Sequence, residues 1–420
     1  MSRATPTTRA IPRRSLEALA WGLAALFAIL ALVKLSAGFE RLLLVDGDGA
    51  VDLKLRFDET RAWFAGYWLR GAVYPPASQA ILWPVVGWLP FDAVRGFWAA
   101  LSLASLGWLS WICARECGLR STAGRIACAL LPLAATATGS AVGIGQIVPI
   151  FLPVVVTSVL WMARGRSGWL DATCSAVLFT IASVKPTLFA PFAWLVLLLP
   201  RSRRPALLSG ALYVALTLVA LSALRDGPAR GGGGTIGGVV ANGIEQRMTW
   251  ATTVRRIDDD KTTLFGGGYG NLQNMSYSAG MVGLQNFVLP IASVLACGLW
   301  LLRHRRTDPW IMLAVCALAA RLGWYHRVYD DMLLVLPAIA FVRILASHGT
   351  PDGADGPTAR TAAILLAATL APLLSPGTLA DLLLHVPRLL GPWIWLADLL
   401  FLGRVAPAFD RAEPRVTAPS

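Results

Sequence analysis

The sequence predicts an all-α protein that crosses a membrane many times, and three observations support this. Apolar windows long enough to cross a bilayer recur along the chain, for example at 16–38, 206–224 and 286–302. Charged residues make up only 15% of the chain, against about 25% in a typical soluble domain. The excess of 37 Lys and Arg over 24 acidic residues lies in short clusters between the apolar windows. That pattern is typical of cytoplasmic loops and argues against nucleic acid as a partner.

The arginine clusters set the predicted topology. Residues 1–15 carry four arginines ahead of the first apolar window, which predicts a cytoplasmic N-terminal tail. The apolar window 78–90 contains Pro84 and Pro90 and is short for a crossing, so we interpret it as a re-entrant or interfacial segment. Four arginine clusters follow, at 115–125, 164–166, 201–204 and 303–306. This interpretation places all four inside, whereas a crossing at 78–90 would place all four outside.

The resulting topology has 12 spans and two cytoplasmic termini. The predicted spans are 16–38, 93–114, 125–142, 147–163, 169–184, 187–200, 206–224, 286–302, 308–323, 331–346, 360–374 and 390–403. A single transmembrane domain, 16–403, is then followed by a cytoplasmic tail, 404–420. The two largest outer connections are a first loop, 39–92, and a glycine-rich loop, 225–285.

Acidic residues crowd the first outer loop. Asp46 and Asp48 precede a stretch, 52–70, whose apolar residues have helical spacing, and Asp52 is its first residue. This predicts a helix in the membrane interface that begins near Asp52. Each carboxylate is a candidate general base, but an N-cap or a solvated turn also explains each one alone. Asp46 and Asp48 have the spacing of a metal-binding pair, and a turn explains that equally well. We therefore assign no metal ligand and predict no definite cofactor. The sequence leaves open whether the protein binds a divalent metal.

A second polar cluster joins two predicted spans, at residues 321–331. A snorkelling rim of charged side chains is the plain explanation. The density of charged and aromatic residues in so short a connection favours a phosphate or sugar site instead. The candidate residues are Arg321, His326, Arg327, Tyr329 and Asp330.

Two further candidates lie in short outer turns. Lys185, followed by Pro186, interrupts two apolar runs. A lysine at such a depth is usually functional or paired, although a snorkelling lysine at the end of a span is the alternative. Gln146 follows Gly145 in another turn, where a plain turn explains it equally well.

The order of these elements resembles glycosyltransferase family 87, whose fold is of the GT-C type. Asp52 is followed 14 residues later by the glycine of Ala65-Gly66, and then by Tyr74-Pro75-Pro76. Gly145-Gln146, Lys185-Pro186 and the ending Arg327-Val328-Tyr329-Asp330 complete the resemblance, which runs over about residues 40–345. The chain departs from the family pattern at Leu55-Arg56, where valine and tyrosine are common, and in a shortened stretch before Tyr74.

The resemblance implies transfer of a sugar, a hexose such as mannose or a pentose, from a polyprenyl-phosphate donor. The acceptor would be an envelope lipid or glycan on the outer face of the plasma membrane, and direct displacement would invert the anomeric centre. We expect Asp52 to be the general base, with Asp48 and then Asp46 as reserve candidates. The expected donor-binding residues are Lys185, Arg321, His326, Arg327, Tyr329, Asp330, Gln146 and Tyr74.

Two other classes of function are consistent with a polytopic chain. A transporter or flippase of a lipid-linked sugar is the first, but transporters bind at the midplane and often carry repeats. The polar residues here lie at one predicted face, and the chain has no fixed-period repeat. A membrane scaffold is the second, and it would leave Lys185 and the 321–331 cluster unexplained.

Overall fold

The computed structural model confirms the predicted all-α class. It describes residues 13–47, 49–66, 69, 72, 74–164, 168–199, 202–223, 271–273, 281, 285, 287–324, 326–348, 355–374 and 387–409. These residues form α-helices and short 3₁₀ helices, and no β-strand occurs among them.

The described helices have the following bounds. In chain order they are α1 (Arg13–Leu44), α2 (Val51–Phe64), α3 (Pro76–Val86), α4 (Phe91–Glu116), α5 (Thr122–Ala134), α6 (Thr136–Ile144), α7 (Val148–Arg164), α8 (Trp169–Ala182), α9 (Pro186–Leu198), α10 (Arg203–Ala223), α11 (Val288–Arg303), α12 (Pro309–Gly323), the 3₁₀ helix η1 (Val328–Leu334), α13 (Val335–Ser347), α14 (Gly356–Leu374), α15 (Pro387–Val405) and the 3₁₀ helix η2 (Ala406–Phe409). Each predicted span coincides with one or two of these helices.

Fewer helices than predicted have the dimensions of a full span. Within the described residues, four helices are long and apolar enough to cross a membrane, namely α1, α4, α10 and α14. The pair α5 and α6, bent by 43°, makes a fifth if it is one span. Others are shorter: α8 and α9 hold 14 and 13 residues, or roughly 20 Å each, against a hydrocarbon core of about 30 Å.

Lys34 of α1 stabilises the break between α5 and α6. Its ammonium donates hydrogen bonds to the Ala134 carbonyl at 2.9 Å, the Thr136 hydroxyl at 2.7 Å and the Leu374 carbonyl at 2.8 Å. Lys34 thus satisfies acceptors at a helix break and at a helix end. Non-helical backbone inside a membrane bundle requires such partners.

Ion pairs gather several helix ends at one end of the bundle, which we call the inner end. Glu116 at the end of α4 pairs with Arg164 at the end of α7, at 2.5 Å. Arg343 of α13 pairs with Asp308, the residue before α12, also at 2.5 Å. The candidate site residues occupy the opposite end of the same helices, which we call the outer end.

Helix α2 lies against the bundle at the outer end. Phe57 packs edge-on against Phe91 of α4, with ring centroids 5.2 Å apart. The Trp63 indole donates a 2.6 Å hydrogen bond to the Ala220 carbonyl near the end of α10. The predicted interfacial helix, 52–70, is therefore shorter than expected, since α2 ends at Phe64, and its apolar side faces protein. Part of that predicted stretch, including Trp68, lies outside the described residues.

Candidate active site

Asp52 lies in the first turn of α2 and its carboxylate points away from the helix start. The residue that precedes the helix is Ala50, with a left-handed φ of 54°, and no side chain caps the helix. The Ala50 amide instead donates to the Gly143 carbonyl at 3.0 Å, which ties the start of α2 to the end of α6. The Asp52 carboxylate accepts a hydrogen bond from the Gln146 side-chain amide. The N-cap explanation of Asp52 is therefore wrong.

Gly145 allows the turn after α6 to approach α2. Its φ is +74°, a conformation that side chains other than glycine rarely adopt, and a Cβ there would lie 2.5 Å from the Leu53 Cβ. Because no side chain intervenes, the buried Gln146 reaches the Asp52 carboxylate. The Gly145-Gln146 pair is thus a structural requirement for this contact.

A buried carboxylate joins Lys185 to the cluster 321–331. The Lys185 ammonium lies 2.8 Å and 3.2 Å from the two Asp330 carboxylate oxygens. His326 Nδ1 lies 2.9 Å from Asp330 Oδ2. Lys185 also sits over the Tyr329 ring, 5.2 Å from its centroid. Lys185 and His326 thus share one partner, Asp330, which lies 145 positions after Lys185 in the sequence.

Burial and the Lys185 charge shift the pKa values of Asp330 and His326 in this cluster. Burial alone would raise the pKa of Asp330, but the Lys185 charge and the His326 hydrogen bond outweigh it and hold that pKa well below its usual range. Burial lowers the pKa of His326, although the Asp330 carboxylate opposes this. The imidazole is therefore neutral, and with Nδ1–H donating to Asp330, its Nε2 becomes an acceptor. Among the described residues this buried Nε2 has no hydrogen-bond partner.

Arg321 is fully buried at the end of α12 and belongs to the same region. Its guanidinium pairs with Asp331 and stacks on the Trp395 ring of α15, 4.2 Å from the centroid. Its charge contributes to the lowered pKa of His326. Arg327, the remaining candidate cation, is partly buried at the start of η1.

Tyr74 lies near two groups of candidate residues, one that contains Asp52 and one that contains Lys185 and Asp330. Burial raises the pKa of its phenol, the charges of Lys185 and Arg56 oppose this rise, and those of Asp52 and Asp330 add to it. The phenol therefore senses charges from both groups. Ser78, at the start of α3, holds this region in place by donating a 2.8 Å hydrogen bond to the Val184 carbonyl beside Lys185.

Arg56 and Glu59 are site residues that the sequence analysis missed. The Arg56 guanidinium stacks on Tyr74, 4.1 Å from the ring centroid, and pairs with the buried Glu59 at 2.5 Å. The signal was present, since Asp52, Arg56 and Glu59 are four and three residues apart and so share one face of α2. Arg56 had been noted only as a departure from the family pattern.

Asp46 does not join the site in the described residues. The Asp46 side chain is exposed and lies 3.5 Å from Arg95 of α4. Asp48 lies outside the described residues. Within the part of the chain that the structure covers, no three His, Cys, Asp or Glu side chains group as metal ligands.

The arrangement thus provides a carboxylate held by Gln146, a separate set of buried, paired cations around Asp330, and Tyr74 within electrostatic range of both. A model of glycosyltransferase family 87 matches residues 72–337, more than half of the chain. The chain belongs to glycosyltransferase family 87. Together with the apolar helices, membership makes it a membrane glycosyltransferase, an enzyme that joins a sugar from a donor to an acceptor. Comparisons with curated proteins and with solved structures gave no match.

The resemblance drawn from the sequence is therefore confirmed at the level of the family. The matched range includes Tyr74, Gln146, Lys185 and the cluster around Asp330, whereas Asp52 lies before it. The contact between Gln146 and Asp52 connects the matched range to the first outer loop.

Proposed function

We propose that the enzyme transfers a sugar from a polyprenyl-phosphate donor to an envelope lipid or glycan acceptor. The sugar is a hexose such as mannose, or a pentose, and transfer takes place at the outer end of the bundle with inversion of the anomeric centre. The observation that carries the proposal is that Gln146 holds the Asp52 carboxylate while Lys185 pairs with the buried Asp330, with Tyr74 close enough to interact with the charges of both groups. A general base and a cationic group favour a reaction in which the acceptor hydroxyl displaces a phosphate leaving group from the sugar.

The donor phosphate is assigned to the cations around Asp330. Lys185 has three N–H donors, and its two contacts with Asp330 leave donor capacity for a phosphate oxygen. Arg321 and Arg327 add positive charge, and Tyr329 lies beside the Lys185 ammonium. Fixed cations stabilise a leaving phosphate as negative charge develops on it. The His326 Nε2 acceptor is directed to a hydroxyl group of the donor sugar.

Asp52 is assigned as the general base, with Asp48 and Asp46 as reserve candidates. The acceptor oxygen forms a bond to the anomeric carbon while the bond from that carbon to the phosphate oxygen breaks. The electron pair leaves with the polyprenyl phosphate, and the acceptor proton passes to the Asp52 carboxylate. The hydrogen bond from Gln146 orients this carboxylate, and general base catalysis of this kind contributes about 10²–10⁴-fold.

We further propose a GT-C-type topology with 12 spans, both termini cytoplasmic and the outer end facing the extracytoplasmic side of the plasma membrane. Pairs of short helices joined at Gly145-Gln146 and Lys185-Pro186 would each reach the site at a turn buried in protein, which the bilayer tolerates. Topology reporters fused at Gly165 and near Pro205 should be active only in the cytoplasm. Activity of either reporter outside the cell would reverse the assignment.

A panel of radiolabelled polyprenyl-phosphate sugars, incubated with membranes that contain the enzyme, tests the proposed donor. We expect label to pass to a lipid or glycan product with one donor and not with a nucleotide sugar. The assay is run with and without EDTA, because the proposed step assigns no role to a metal. If liposomes containing the enzyme move a lipid-linked sugar between leaflets and form no product, the enzyme is a flippase instead.

A further inference from the structure

A cavity separate from the candidate active site lies between α11, α12 and α15. It has a volume of about 710 Å³ and is lined almost entirely by apolar side chains. Helices α11 and α15 both pack against α12, so α12 forms the floor of the cavity and the other two helices form its walls. It runs along the helices from Leu322 and Trp393 near the outer end to Arg303 and Gly403 near the inner end. A cavity of this shape fits a hydrocarbon chain that lies parallel to the helices.

Ser293 lines the outer part of this cavity, whereas its charged and titratable lining residues lie at the inner end. Arg303, the last residue of α11, lines it together with Trp300 and His304, whose rings stack with centroids 5.0 Å apart. Trp300 Nε1 and His304 Nδ1 are both buried and have no hydrogen-bond partner within the part of the chain that the structure covers. Buried polar nitrogens without a partner are costly, so they indicate a ligand that provides acceptors.

Gly403 of α15 leaves space beside the Trp300 indole nitrogen. A Cβ at this position would already lie 3.5 Å from Trp300 Nε1, so any longer side chain would fill the space beside the nitrogen. The surroundings are cationic as well, since Arg404, the residue after Gly403, lies at the same end. The complementary ligand carries an anionic head at the inner end and an apolar chain above it.

We propose that this cavity binds one anionic phospholipid, with its phosphate at Arg303, Trp300 and His304 and one acyl chain between α11 and α15. Its head is at the inner end, whereas the proposed donor phosphate lies at the outer end, so the two sites are distinct. A phospholipid of the inner leaflet has both the polarity and the orientation that the cavity requires.

Native mass spectrometry of the delipidated full-length protein tests this proposal. Phosphatidylglycerol and phosphatidylethanolamine with identical acyl chains are titrated separately, and the first is expected to bind at least five-fold more tightly. Arg303→Gln should reduce phosphatidylglycerol binding at least five-fold, and His304→Phe provides a second variant if the first folds poorly. Arg305→Gln, an exposed arginine two positions further that does not line the cavity, is the matched control.

A third variant tests the position of the chain. Ala296 is exposed on α11 and lines the cavity, so Ala296→Phe should fill it and weaken binding of both lipids. Equal affinity for the two headgroups, or an equal loss with Arg305→Gln, would overturn the proposal, because either result indicates general surface attraction. Unchanged binding in Ala296→Phe would also overturn it. Loss of polyprenyl-phosphate binding in Ala296→Phe, with phosphatidylglycerol binding unchanged, would assign the cavity to the donor chain instead.

Discussion

The Gln146 side-chain amide donates a hydrogen bond to the Asp52 carboxylate across 94 positions of the sequence. This contact joins the first outer loop to the turn between α6 and α7. It also explains why a glycine precedes Gln146, since a side chain at position 145 would collide with Leu53 of α2. The carboxylate is thereby held in a fixed orientation, as a general base requires.

We expect Asp52→Asn to reduce turnover by about 10²–10⁴-fold while donor binding stays nearly unchanged. Asparagine keeps the shape of the side chain but cannot accept the proton of the acceptor hydroxyl. The measurement is the rate of product formation from the labelled donor, together with the donor Kd. Asp58→Asn is the matched control, because Asp58 lies on the same helix and pairs with Lys54 at the surface.

The reserve candidates give this prediction a clear negative outcome. If Asp52→Asn stays active while Asp48→Asn is inactive, the base is Asp48. If Asp46→Asn is the inactive variant, the base is Asp46, despite its exposed position beside Arg95. If all three variants stay active, none of these three carboxylates is the base.

The positions of the helices could be predicted from the sequence, but the number of spans could not be read from them. Apolar windows locate α10 and α12 equally well, although α12 is almost completely buried and α10 has only Pro205 and Ala220 buried. Hydropathy measures the polarity of a segment and not whether lipid or protein surrounds it. Short buried helices and lipid-facing spans therefore give the same signal.

The residue types of the site could be predicted, while their pairing depended on the tertiary fold. Lys185 was recognised because a lysine between apolar runs is costly, yet nothing in its local sequence indicates Asp330 as its partner. Likewise, nothing in the sequence around His326 indicates the burial that lowers its pKa. Arg56 was recoverable from helical spacing alone, since it lies one turn after Asp52.

We expect Lys185→Met to raise the donor KM at least ten-fold, because the variant loses the ammonium assigned to the donor phosphate. The substitution also leaves Asp330 without one of its partners, and breaking a buried ion pair costs about 3–5 kcal/mol. Stability and KM are therefore measured together, by thermal unfolding in detergent and by donor titration. Lys54→Met is the control, since its exposed pair with Asp58 should contribute only about 0–1 kcal/mol.

A double variant separates the two roles of Lys185. Lys185→Met with Asp330→Asn removes both charges, so we expect it to be more stable than either single variant. If donor binding recovers together with stability, Lys185 serves only to hold the fold. If donor binding stays poor in a stable double variant, the ammonium contributes to binding directly.

We expect Lys34→Met to lower the Tm without changing the donor KM of the protein that stays folded. The variant keeps the aliphatic chain of Lys34 but loses three hydrogen bonds, at the α5–α6 break and at the end of α14. Each buried acceptor left without a partner costs about 1–3 kcal/mol. An unchanged Tm would show that water or lipid headgroups satisfy these acceptors equally well.

Glu59 should make the stability of the protein depend on pH. Burial raises the pKa of this carboxyl from its ordinary value of 4.5 to about 7, although the Arg56 charge opposes the rise. Because the folded state holds the proton more tightly than the unfolded state, the stabilising contribution is complete below about pH 4.5 and is lost as the pH rises through 7. The free energy of unfolding should therefore fall between these values, by up to about 1.4 kcal/mol per pH unit.

Glu59→Gln isolates this contribution, because glutamine resembles the protonated acid and does not titrate. We expect the Tm difference between the wild type and Glu59→Gln to change in favour of the variant as the pH rises from 5 to 7.5. Glu40→Gln, at an exposed position on α1, should follow the wild type at every pH. Parallel curves for the wild type and Glu59→Gln would mean that Arg56 keeps Glu59 ionised throughout. In that case the Arg56–Glu59 pair, which holds the guanidinium against Tyr74, would act as a fixed ion pair and not as a titrating one.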